Sequence, residues 1–171
     1  RLTELEADTK SVLIQAALLG ERFSPALLAR LHFNTAFNVR QALNKASLAK
    51  LIEPIGSGND YSFIHQELLE SLKAIAPDAE LIEYHEAFVE LAKQGGNLQG
   101  YQPSLICAQH QVSLIKLGVI RDDAVDDLLR AAKTTFTENY PERGIQFLET
   151  CLKLPGLQQR GDVHRMLGEM Y

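Results

Sequence analysis

The chain has 171 residues, 46% hydrophobic and 23% charged, the composition of an ordinary globular protein with room for one large domain or two small ones. A formal net charge of −5 argues against a general nucleic-acid binder, which needs a net basic face. No apolar run approaches the roughly 18 residues of a membrane span and no signal-peptide pattern opens the chain. The two cysteines, Cys107 and Cys151, lie far apart without CxxC spacing, which predicts free thiols in a reducing cytoplasm. The start at Arg1 and the end at Met170-Tyr171 in mid-pattern predict a piece of a longer protein.

Helix signals dominate. The first helix is expected over residues 5–19, with Val12, Leu13, Ala16, Ala17 and Leu19 on one side and Gly20 as its end. Ser24-Pro25 supplies an N-cap followed by proline at the first helical position, opening a short helix to His32. Asn34 or Thr35 then caps a third helix whose apolar side is Phe37, Ala42, Leu43, Ala46 and Leu48. The short apolar run Leu51–Ile55, the turn chemistry of Gly56-Ser57-Gly58-Asn59-Asp60 and the return strand Tyr61–Ile64 read as a hairpin. Gln66–Ala76 has helical spacing. Three helices and a hairpin in this order predict a winged helix-turn-helix over residues 1–76.

Residues 77–171 change character. Helices are expected from Pro77-Asp78 to Lys93, from Pro103-Ser104 to Leu117, over 122–139, over 141–154 and from Asp162 onward, with no strand signal between them. The short breaks predict antiparallel helical pairs stacked as a solenoid, truncated at the C-terminus. The expected fold class is therefore mainly α, a winged helix followed by a helical-repeat arm. An all-α bundle with small residues at helix crossings is the alternative for the second half.

Ala124, Leu128 and Ala131 stand at i, i+4 and i+7, and Gly144, Leu148 and Cys151 repeat the same small–large–small pattern. Small residues let a neighbouring helix approach while the leucine fills the gap between them. With Ala132 and Pro155 close to consensus positions and Leu167-Gly168-Glu169-Met170-Tyr171 matching L-G-x-x-Y, this stretch resembles tetratricopeptide repeats.

Little in the chain points to catalysis. There is no G-x-x-x-x-G-K-[ST] run and no G-x-G-x-x-G, so Gly56-Ser57-Gly58 reads as a hairpin tip rather than a phosphate loop. His32, His65, His85, His110 and His164 form no H-x-x-x-H or H-E-x-x-H pair, and Tyr84-His85-Glu86 is expected on a polar helix face, so no metal site is expected. Asp122, Asp123, Asp126 and Asp127 are expected as a solvated helix start, where carboxylates favour the helix dipole. Cys107 and Cys151 fall at packing positions. No catalytic residues are assigned and no enzyme is expected.

The order of motifs resembles the segment that follows the ATPase core in STAND-type signalling ATPases, including large LuxR-type transcription regulators and ATPase modules linked to bacterial cyclases and kinases. The residues carrying the resemblance are Val12–Leu28 (VLIQAALLGERFSPALL), Gln41–Ile52 (QALNKASLAKLI), Tyr61–Leu72 (YSFIHQELLESL), Ala108-Gln109-His110, Gly118 and 124–132. In relatives of this group, which include immune receptors, a histidine after the wing contacts the phosphates of bound ADP. The matching residue is His65, followed here by Gln66 where the immune-receptor motif has aspartate. An imidazole can donate to a phosphate oxygen and, as a cation, adds charge. Another reading has His65 capping the next helix or hydrogen-bonded between wing and helix.

The resemblance implies a non-catalytic regulatory arm of a cytoplasmic signalling or transcription regulator. No cofactor is expected on these residues, and ATP or ADP would sit on an upstream domain. The implied partners are that ATPase domain of the same chain and, on the helical arm, a protein partner or small inducer, with no membrane. A rival is a helical-repeat adaptor that needs no nucleotide. A second rival is direct DNA binding, for which the third helix offers Asn38, Arg40, Gln41, Asn44, Lys45 and Lys50, while the wing offers only Ser57 and Asn59 beside Glu53 and Asp60. That surface lacks the six or so cationic phosphate partners of firm binding in salt, which leaves DNA as an unfavoured partner.

Overall fold

A computed structural model describes residues 2–31, 36–156 and 160–171. The described residues are mainly α-helical with one small antiparallel sheet, and they divide into two compact units, 1–84 and 85–171.

In the first unit, α1 (Ala7–Leu19) is followed by β1 (Arg22–Phe23), α2 (Pro25–Leu31), α3 (Ala36–Leu48), β2 (Ile52–Ile55), β3 (Asp60–Phe63) and α4 (Gln66–Ile75). α1 is central, packing on α3 and α4. Every residue from Val12 to Leu18 is buried, Gln15 included, rather than one side alone. α2 inserts Leu27 and Leu28 beside α3, from which Ala42, Leu43 and Ala46 enter the same core. Leu48, expected with them, is 85% exposed. It lies in the last turn of α3, just before Lys50 takes up a left-handed conformation (φ 56°) and the Leu51 N–H closes the helix on the Ala46 carbonyl, 3.0 Å away. The expected helix cap at Asn34 or Thr35 and helix end at His32 lie outside the described residues, as does the Phe37 side chain.

The sheet has the order β1-β3-β2, with Phe23 opposite Tyr61 and Ile52 opposite Phe63. Pro54 is tolerated because β2 is an edge strand and needs no donor on its outer side. The connection turns at Gly56 (φ 57°), with the Gly58 N–H donating to the Ile55 carbonyl at 3.0 Å. The two-residue β1 has no sequence periodicity to announce it. It pairs because Phe23, 1% exposed, packs its ring 5.2 Å from Phe63 and 6.1 Å from Tyr61.

α5 (Asp78–Gln94) contains the division between units at Tyr84 and His85. Its N-terminal part closes the first unit, where the Tyr84 hydroxyl donates to Glu80 and lies 2.6 Å from Ser11 Oγ. The second unit continues through α6 (Pro103–Lys116), α7 (Ala124–Thr137), α8 (Pro141–Leu152) and α9 (Gly161–Met170). Each helix from α6 onward packs on the next. Proline opens α6 and α8 at positions whose N–H would be unsatisfied anyway.

Both small–large–small triplets, Ala124/Leu128/Ala131 and Gly144/Leu148/Cys151, are buried. Full burial of Leu128 or Leu148 contributes roughly 1.5–3 kcal/mol each. At Gly144 a Cβ would lie 2.5 Å from Thr135 Oγ1 and 3.0 Å from Met170 Cε. The absence of a side chain there sets how closely α7 and α9 approach α8. No helix among the described residues is long and apolar enough to cross a membrane.

Candidate functional site

His65 sits between the end of β3 and the start of α4, on extended backbone (φ −133°, ψ 130°). The chain folds this way because the hairpin ends at Phe63, whose side chain is buried, and α4 begins one residue after His65 on an apolar side of Leu69 and Leu72. The His65 carbonyl accepts from the Leu68 N–H at 3.1 Å, while its imidazole is exposed and makes no cap bond. The helix-capping role is therefore not taken up. An exposed imidazole at a strand–helix join can donate to an anionic group brought to it from outside.

The surface proposed for DNA contact is weakly cationic. Asn38, Arg40, Gln41 and Asn44 are exposed on α3, but Lys45 Nζ is 2.7 Å from Glu6. The exposed hairpin tip carries Ser57 and Asn59 and no cation.

The second unit holds the polar centre that sequence reasoning missed. His85 and His110, expected apart and with His85 on a polar face, are both buried, with Nδ1 atoms 2.7 Å apart. The pairing follows from α5 and α6 each turning an apolar side inward, with Phe88 and Val89 near one histidine and Ile106, Cys107 and Leu114 near the other. The Phe88 ring lies flat on His110, centroids 4.3 Å apart at 5°. Burial, with His85 alongside, holds the His110 imidazole well below the ordinary histidine range.

Beside the pair runs a charged network. Gln111 Nε2 donates to Asp127 Oδ2 at 2.8 Å and to Asp123 Oδ1 at 3.1 Å. Lys93 Nζ bonds Asp123 and lies 3.0 Å from Asp127. Arg121 joins Asp123 (3.1 Å from Nε) to Glu90 (2.5 Å from Nη2). Asp122 and Asp126 are exposed as expected of a solvated helix start, but Asp127 is 4% exposed. Its position one turn into α7 points it at α6, where Gln111 satisfies it. Hydrogen bonding to Arg121 holds the Asp123 carboxyl far below the usual carboxylate range. Lys93, which burial pulls down, is nevertheless held above the usual lysine value by Asp123 and Asp127.

These groups are engaged with one another and clasp α5, α6 and the start of α7 together. Burial and the neighbouring Asp127 push the Cys107 thiol up to about 12, and burial pushes Cys151 up to about 11; neither is an activated nucleophile. Among the described residues there is no group of three or more histidine, cysteine or acidic side chains that could hold a metal ion. The only advance signal for the histidine pair was that both residues fall among the apolar positions of their helices. Separations of 25 residues for His85–His110 and 30 for Lys93–Asp123 leave no local motif. The chain matches no protein-family model, no curated protein and no solved structure.

Proposed function

We propose that this chain is a non-catalytic regulatory and protein-interaction segment of a larger cytoplasmic, ATP-dependent signalling or transcription regulator. In this reading residues 1–76 form a winged helix and 77–171 a tetratricopeptide-like arm. The observation that carries it is His65, exposed and uncapped at the strand–helix join, at the position where the resembled ATPases place a phosphate-contacting histidine. The sheet order β1-β3-β2, with one strand between the first two helices and a hairpin after the third, supports the winged-helix assignment. Burial of both small–large–small triplets supports the repeat assignment.

The function that follows is a switch. With ADP on an upstream ATPase domain, His65 donates to its phosphate and holds the winged unit against that domain. Exchange for ATP releases it, and the helical arm receives a protein partner or small inducer. These residues alone would not hold nucleotide tightly, since nothing else in the sequence reads as a phosphate cradle.

In the parent protein, His65→Ala is expected to accelerate ADP release about tenfold, the equivalent of one charge-assisted hydrogen bond. An unchanged ADP off-rate would remove His65 from the switch. A parent gene without a P-loop upstream of Arg1 would overturn the nucleotide reading altogether. The triplet packing, which needs no nucleotide, would then favour a helical-repeat adaptor.

A further inference from the structure

We propose that His85 and His110 form a proton-sensitive catch that holds the C-terminal half of α5 on α6 and opens when the surroundings become mildly acid. The inference is independent of nucleotide sensing and rests on the geometry of the pair.

Two neutral imidazoles whose Nδ1 atoms stand 2.7 Å apart share one hydrogen: one ring donates and the other accepts through its lone pair. A second proton at this junction would set two N–H groups face to face. It would also place charge at a site where His110 is 1% exposed and stacked on Phe88, and burying a charge is costly. The closed contact therefore requires that at least one Nδ1 remain unprotonated.

Most of the other titratable groups nearby are engaged with one another. On α5, Glu90 is taken by Arg121, Lys93 is taken by Asp123 and Asp127, and Glu86 is half-buried. On α6, the Cys107 thiol stays neutral and Lys116 is exposed. On α7, Asp123 and Asp127 are held by Gln111, Lys93 and Arg121. On α8, Cys151 is neutral as well. Among the described residues His85 is the one charged-form neighbour acting on His110.

The sign follows. The opened helices carry histidines near the ordinary value of about 6.5, and His110 in the closed contact lies well below it. The closed state is fully favoured above that value. As pH falls below it, the open state takes up a proton that the closed state refuses, and closure weakens by about tenfold per pH unit for one proton. The lever is well placed, because His85 opens the part of α5 that belongs to the second unit. Residues 85–94 stay on α6 while at least one Nδ1 keeps its lone pair and come free when both rings are charged.

The test is hydrogen exchange on the full chain at pH 7.5, 6.5 and 5.5, corrected for intrinsic rates. The expected result is a rise of about fivefold or more between the two lower values, confined to residues 85–94 and 105–116. In the double variant His85→Phe/His110→Phe, which removes both titrating rings and keeps an aromatic face toward Phe88, those segments should exchange independently of pH. Equal rates in the wild type at all three values would overturn the catch. So would a parallel rise across α7–α9, which signals general acid unfolding, or a His85→Phe/His110→Phe chain that opens at the same pH. Should that variant not fold, imidazole nitrogen resonances of the wild type decide. Titration of both rings in step with the local opening supports the catch, and independent titration near the ordinary value with the helices still closed overturns it.

Discussion

The two units solve the same packing problem in opposite ways. The first surrounds one helix: α1 is buried on all sides from Val12 to Leu18, and a sheet of two- and four-residue strands closes one flank through Phe23, Tyr61 and Phe63. Its large apolar side chains supply the fit, and its glycines serve turns. The second unit has no sheet among its described residues and lays helices side by side. Its fit depends on Ala124, Ala131, Gly144 and Cys151 being small, and on a polar centre, His85–His110 and Gln111–Asp127, buried between helices. A core made by enclosure tolerates shape changes at its rim, whereas a core made by close approach of backbones has little slack.

Glycine substitutions break that comparison most sharply. Gly144→Val places atoms where Thr135 and Met170 already stand, so the second unit is expected to lose about 3 kcal/mol. Hydrogen exchange should quicken throughout α7–α9 while α1–α4 keep their protection; unchanged α7–α9 exchange would mean that the helices reseat freely. Gly56→Ala tests the other use of glycine. Its Cβ meets nothing within 4 Å, but the backbone is left-handed at φ 57°, so the cost is about 1 kcal/mol of conformational strain. That loss should appear in urea unfolding with the hairpin amides most affected.

The smallest effect is expected at the rim of the first unit. Leu48→Ser removes a side chain that is 85% exposed and should change stability by less than about 0.5 kcal/mol. A larger loss would show that Leu48 is covered in solution, and enclosure would then extend further along α3 than its burial pattern indicates.

Much of the local structure was legible from residue types. Ser24-Pro25 starts a helix, Gly56-Ser57-Gly58 turns a hairpin, and Pro141 opens α8 because each acts through its own backbone or that of its neighbours. The spacing of Ala124, Leu128 and Ala131 marked a buried side, since helical periodicity places those positions together before any partner is known. Leu48 was misjudged for the complementary reason: periodicity describes a helix face but does not say where its neighbours stop. β1 was missed because two residues carry no alternation; only Ser62 and Tyr61 across the sheet make Arg22–Phe23 a strand.

The candidate sites divide along the same line. His65 could be found because its neighbours announce a strand–helix join, although its exposure could not. His85 was assigned to a polar face because Tyr84 and Glu86 flank it, and Asp127 to a solvated turn because acidic residues surround it. Burial reversed both assignments once α6 supplied His110 and Gln111 as partners. The sequence by itself determined the approximate extent of most helices, the apolar repeat of α7 and α8, and the mainly α class, because these depend on interactions within a few residues. Only the tertiary structure decided which polar side chains go inside, because a buried donor is tolerable only where a distant segment presents its acceptor.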